Sequence, residues 1–164
     1  GLRHIGGDLR IRDNGALTSL DALSELQTLG MDLSIERNPS LASLEGLERL
    51  TTVPGSLAID DNGMLTDLGG LQGVVSVDGS LHLMRNAALE SLEGIGNLQR
   101  IGHGLYLWSN PILVDIGSLQ SLDSIDVIGF VKDNPMLCEE DAEAIVDQAS
   151  PSFVDISGNT GLCD

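Results

Sequence analysis

Aromatic side chains are nearly missing from this 164-residue chain, which holds one Trp, one Tyr and two Phe. A core must therefore come from Leu, Ile and Val, and small aliphatics used repeatedly suit a repeating interior better than an irregular one. Lysine is scarcer still, with Lys132 alone, and acids outnumber bases 25 to 8 for a formal charge of −17. A surface of that sign repels phosphate backbones and anionic lipid, so neither nucleic acid nor a membrane surface is an expected partner. It also keeps a repeat protein in solution. No apolar run approaches the ~18 residues of a membrane-spanning helix, so no insertion by this segment is expected. No signal peptide is visible either. Gly1-Leu2-Arg3-His4-Ile5 reads as the middle of a repeat, as in a mature or trimmed piece of something longer.

What the chain has in quantity is one period. Asn14, Asn38, Asn62, Asn86, Asn110 and Asn134 follow one another at intervals of 24 residues, and Asn159 comes 25 after the last. Apolar residues keep step. Leu9, Leu33, Leu57, Leu81 and Leu105 stand five before an Asn; Ile11, Ile35, Ile59, Leu83, Leu107 and Val131 stand three before. That alternation predicts a short strand with one buried face. After each Asn the apolar spacing becomes three, as in Leu41, Leu44, Leu47, Leu50 and Val53. A period of three fits a chain turning corners through short strands and 3₁₀-like turns.

The polar columns have structural readings. Ser19, Ser43, Asp67, Ser91 and Asp115, five after each Asn, place a short oxygen-bearing side chain to cap a turn. Ala22, Gly46, Gly70, Gly94 and Ser118 predict a close approach between successive turns, and Gly30, Pro54-Gly55, Gly79 and Gly102 a bend into the next strand. The asparagines are expected to bond turn backbone and the next repeat's amide, not to form a site. The expected fold is an all-β, β-helix-like leucine-rich solenoid of 24-residue coils. It spans 1–164 as one domain, with regular coils over 1–134 and a C-terminal cap over 135–164.

In that cap the period breaks. Cys138–Ala149 reads as a short amphipathic helix with acids in its first turn, after which Val154, Ile156 and Asn159 resume the pattern. Cys138 and Cys163 each lie four residues after an Asn. Stacked strands are ~4.8 Å apart and a disulfide favours Cα atoms ~5.5–6 Å apart, so a Cys138–Cys163 bond is expected. A disulfide implies an oxidising compartment.

The pattern L-x-I-x-x-N-x-x-L-x-S-L-x-x-L, closed by Asn134-Pro135-Met136-Leu137-Cys138 and Gly161-Leu162-Cys163, resembles the receptor L domain family. That family includes the ligand-binding L domains of the insulin and epidermal growth factor receptors, and bacterial surface proteins with similar repeats look related. The resemblance covers essentially the whole chain. It implies a right-handed solenoid, secreted or on the cell surface, whose sheet face or edge grips a protein ligand. The strict regularity and the lack of other cysteines depart from the receptors and look bacterial. Ordinary leucine-rich repeats place the leucine after the Asn two residues on, whereas here it is three.

Outward strand positions lie two, four and six before each Asn. Early repeats place Arg10, Arg12, Ser34, Glu36, Ala58 and Asp60 there; later ones place His82, Met84, Tyr106, Trp108, Ile128, Phe130 and Lys132. Contiguous exposed apolar groups mark contact sites, and Trp and Tyr are enriched among interface hot spots. The expected ligand-facing patch is His82, Met84, Tyr106, Trp108, Ile128 and Phe130, for a protein partner or a glycan. The alternative is a structural spacer, or homotypic assembly through the first coil.

One before each Asn, Asp13, Arg37, Asp61 and Arg85 alternate in sign and predict a row of surface ion pairs. The interposed arginines argue against calcium at Asp60-Asp61-Asn62-Gly63. His4, His82 and His103 fall far apart in the repeat, so no metal cluster is expected. No nucleophile–base set or phosphate-cradling loop stands out, and no catalytic residue or cofactor is assigned.

Overall fold

Leucine or isoleucine at every second position before an Asn gives each repeat one apolar strand face, which pairing with its neighbours buries. The computed structural model describes residues 1–163. Its strands are β1 (His4–Ile5), β2 (Leu9–Arg12), β3 (Thr28–Leu29), β4 (Leu33–Glu36), β5 (Thr52–Val53), β6 (Leu57–Asp60) and β7 (Ser76–Val77). There follow β8 (Leu81–Met84), β9 (Arg100–Ile101), β10 (Gly104–Trp108), β11 (Ser124–Ile125), β12 (Ile128–Lys132), helix α1 (Glu139–Ala149) and β13 (Phe153–Ser157). They form three separate parallel sheets: seven strands in the order β13-β12-β10-β8-β6-β4-β2, four in the order β11-β9-β7-β5, and the pair β1-β3.

The register is the sequence period made spatial. Leu33 pairs with Leu57 and Ile35 with Ile59, 24 residues on, while Ile128 pairs with Phe153, 25 on. Inward columns such as Leu57, Leu81 and Leu105 are buried, and so are the leucines spaced by three, including Leu65, Leu68 and Leu71. Each such side chain contributes roughly 1.5–3 kcal/mol when fully buried. A repeat alone has nothing to bury them against; stacking supplies it.

The corners explain the spacing of three. After each Asn from Asn14 to Asn134 the third residue's N–H donates to the Asn carbonyl, as from Leu41 to Asn38 at 3.0 Å and Leu65 to Asn62 at 3.2 Å. Ser43, Asp67, Ser91 and Asp115 then accept the N–H two residues on, at 2.7–3.3 Å, which is the expected capping role. Gly46, Gly70 and Gly94 take φ of 107–110° and lie so close to the preceding turn that a Cβ would strike the carbonyl of Leu20, Leu44 or Leu68. Short 3₁₀ segments appear at Asp21–Leu23 and Gly117–Ser121.

The asparagines form a continuous ladder. Asn62 Oδ1 accepts the Asn38 N–H at 3.2 Å while its Nδ2 donates to the Ile35 carbonyl at 2.8 Å, and Asn86 treats Asn62 and Ile59 alike. Among the described residues no buried side-chain nitrogen or oxygen lacks a partner. Each amide satisfies backbone groups that a tight corner would otherwise leave bare.

In the last repeat α1 begins at Glu139, one residue later than expected, with Cys138 as its N-cap. Ala142, Ile145, Val146 and Ala149 form its buried stripe. Gly129 stands where other strands carry the inward leucine, and Val146 and Pro151 press into that space. Cys138 and Cys163 are bonded, with Cα atoms 5.0 Å apart. Among the described residues no helix is long and apolar enough to cross a membrane.

Candidate functional site: the outward face of the seven-stranded sheet

Parallel pairing sets equivalent outward side chains side by side. Tyr106 is flanked by His82 and Phe130, Trp108 by Met84 and Lys132, and Gly104 by Ile128. All six residues of the expected patch therefore lie on β8, β10 and β12. His82 and Tyr106 stack at 4.6 Å with planes 8° apart, and Tyr106 and Phe130 at 5.5 Å. Trp108 is 47% exposed; the other five are half-buried against one another.

The row runs one ring further than expected. Phe153 on β13, 55% exposed, sits 5.6 Å from Phe130. The 25-residue step across the helix insertion hid it, although counting six back from Asn159 reaches it. Gly104 also matters here. The Tyr106 ring lies where a Cβ on Gly104 would be, so the missing side chain lets the ring lie down along the sheet.

Tyr106, Trp108, Phe130 and Lys132 enclose a pocket of about 250 Å³. Its two nitrogen donors are already engaged. Trp108 Nε1 donates to Asp133 Oδ2 at 2.8 Å, and Lys132 Nζ to Asp155 Oδ2 at 2.9 Å. The Lys132–Asp155 bond raises the lysine pKa and lowers that of the aspartate. What remains open is ring surface. Larger hollows of about 490, 470 and 460 Å³ lie along the turns and beside α1, lined by mixed polar and aliphatic residues and by no aromatic ring.

Toward β2 the face changes character. Arg12 donates to Ser34 Oγ and Glu36 Oε1, both at 2.9 Å, and Ser34 Oγ donates to Glu36 at 2.6 Å. Two outward positions expected to be exposed are not: Ser34 is 4% and Asp60 7% exposed. Strands about 4.8 Å apart leave a short side chain overhung by its longer neighbours. Burial pushes the Asp60 carboxyl up to about 6, against the Met84 N–H that Oδ1 accepts at 2.9 Å. Burial likewise lowers the His82 pKa, with the Glu36 carboxylate opposing it.

The alternating column forms its ion pairs. Arg37 grips Asp13 at 2.6 and 2.9 Å and holds its carboxyl below the usual range; Arg85 grips Asp61 at 2.9 and 2.7 Å. These residues, with Ser109 and Asp133, have φ of 52–59°. Each donates its N–H to the next repeat, as Asp61 does to the Met84 carbonyl at 2.9 Å, which holds a conformation L-residues rarely adopt. Among the described residues one group of side chains has metal-ligand spacing, Cys138, Glu140 and Cys163, and its two sulfurs are bonded to each other.

The chain is a mainly parallel β protein carrying one face split into polar and aromatic halves. No protein-family model, curated protein sequence or solved structure matches it.

Proposed function

We propose that the chain is a right-handed leucine-rich solenoid of the receptor L domain type, a secreted or cell-surface recognition module without catalytic activity. It binds a protein or glycan ligand on the aromatic half of its seven-stranded face. The observation that carries this reading is the row His82, Tyr106, Phe130 and Phe153 beside the open Trp108 ring. A chain with four Trp, Tyr and Phe residues in all places every one of them on this face. Aromatic groups are costly to leave in water, and grouped exposure of this kind accompanies contact. The regular 24-residue register supports the solenoid, and the Cys138–Cys163 bond supports an oxidising compartment.

Trp108 is the sole tryptophan, so its fluorescence reads occupancy of the face directly. Titration with extracellular protein candidates and an oligosaccharide panel is expected to shift that emission for a true ligand. Tyr106→Ala and Phe130→Ala should weaken the same ligand with circular dichroism unchanged. Binding that survives the Tyr106→Ala/Trp108→Ala double variant, with the fold intact, overturns the reading. The exposed Phe153 and Val154 on the edge strand β13 favour a second reading, homotypic assembly. Light scattering that grows with concentration would select it.

A further inference from the structure

Beside the aromatic pocket the same face holds a hollow of different chemistry. About 210 Å³ opens over Ala58, whose methyl is too short to fill the space between Ser34 and Glu36 on one side and His82 on the other. Asp60 forms part of its wall and is 7% exposed. Oδ1 is taken by the Met84 N–H, and among the described residues no lysine or arginine pairs with this carboxyl. The cations at hand are committed elsewhere, Arg12 to Glu36 and Arg85 to Asp61.

We infer that this hollow receives the guanidinium or ammonium group of an arginine or lysine presented by the ligand, with the Asp60 carboxylate as its counter-charge. The inference rests on the reading of this face as a recognition surface and adds the chemistry of one ligand residue. A buried carboxylate without a cation is costly, and an incoming cation relieves that cost where a sugar hydroxyl would leave the charge uncompensated. The formal charge of −17 draws basic partners toward the whole molecule. The adjoining aromatic pocket then takes a neighbouring apolar side chain of the same ligand.

The charged and titratable groups lining the hollow with Asp60 are Arg10 and Arg12 on β2, each already paired, to Asp8 and Glu36, then Asp32, Glu36 on β4 and His82 on β8; Asp61 and Arg85 act on Asp60 from beyond the wall. Arg85 favours the carboxylate; Glu36 and Asp61 oppose it, and burial opposes it most. Capture of a cation needs the ionised form. Affinity is therefore highest above pH 7 and falls about tenfold per unit once the pH drops below the Asp60 pKa.

The test uses N-acetyl-arginine amide and its neutral isostere N-acetyl-citrulline amide as probes, followed by the backbone amide resonances of Ala58, Asp60, His82 and Met84. The arginine probe is expected to shift these at pH 7.5 and to bind at least tenfold more weakly at pH 5, while citrulline leaves them unmoved. Asp60→Asn keeps an acceptor for the Met84 N–H and should abolish the response, as should Ala58→Leu, which fills the hollow. Equal binding of citrulline, or a response that persists in Asp60→Asn, overturns the inference. A macromolecular ligand lost on Trp108→Ala but indifferent to Asp60→Asn refutes the cation site and leaves the recognition reading standing. Arginine binding at Asp60, with a ligand indifferent to Tyr106→Ala/Trp108→Ala, does the reverse.

Discussion

The two halves of the seven-stranded face share a backbone, a register, an inward aliphatic column and an asparagine ladder, yet present opposite surfaces. Over β2 and β4 the polar side chains satisfy one another, Arg12 binding Ser34 and Glu36 and Arg10 binding Asp8 at 2.7 Å, while Asp60 on β6 is left without a cation. Over β8, β10, β12 and β13 the rings stack but leave a pocket unfilled, with the adjacent Nε1 and Nζ groups turned to Asp133 and Asp155. The difference lies wholly in outward columns that contribute little to the core. Core packing and surface character are thus written on alternate residues of the same strand, and the outward set can change without disturbing the inward one.

The largest expected effect breaks that comparison directly. Trp108→Ala should weaken ligand binding by about 30-fold or more, as for a hot-spot aromatic, while Arg10→Ala, at the rim of the Asp60 hollow, should change it far less. Calorimetric titration of both variants checks this; equal losses would mean that the halves act as one surface.

A second intervention loosens one end only. Replacing both Cys138 and Cys163 by Ser removes a bridge between residues 25 apart and should cost about 3 kcal/mol. Hydrogen exchange should speed up in β13 and α1 well before β2 and β4 respond. Uniform acceleration along the sheet would show that the cap stabilises the whole stack.

The border between the halves is tested by pH. Burial pushes the Asp60 carboxyl up to about 6 in the folded chain, from an ordinary 3.8. Between those values the folded state holds the extra proton, so stability declines as pH rises through that window and stays lower above it, by about 3 kcal/mol. Asp60→Asn should flatten the slope and melt higher than wild type at pH 7.5. An unchanged slope would place the responsible group elsewhere.

The smallest effect concerns the exposed ion pairs. Asp13→Ala should change thermal stability little, and that little should vanish in high salt. A large loss would mean that the pairs hold Arg37 and Arg85 in their left-handed conformation.

Much of this was legible because each structural role recurs every 24 residues. The inward Leu57, Leu81 and Leu105, the turn-capping Ser43 and Asp67, and the close approach at Gly46 and Gly70 are dictated by side-chain size and hydrogen-bonding capacity alone. The left-handed column was not legible, because Asp, Arg and Ser occupy it and only Gly158, with φ of 74°, hints at it. Nor were the burial of Ser34 and Asp60, or the place of Phe153, which the helix insertion moved out of step.

By itself the sequence determined which residues face inward and which columns stack, because a fixed period and an alternating pattern admit one register that buries the recurring leucines. Tertiary structure alone decided what the outward columns become. Whether a short polar side chain is exposed or overhung, and whether rings close on each other or leave a hollow, depends on neighbours 24 or 25 residues away and on the angles at which they lie. An enclosed volume, and a carboxyl short of a counter-charge, are properties of several strands together and belong to none of them singly.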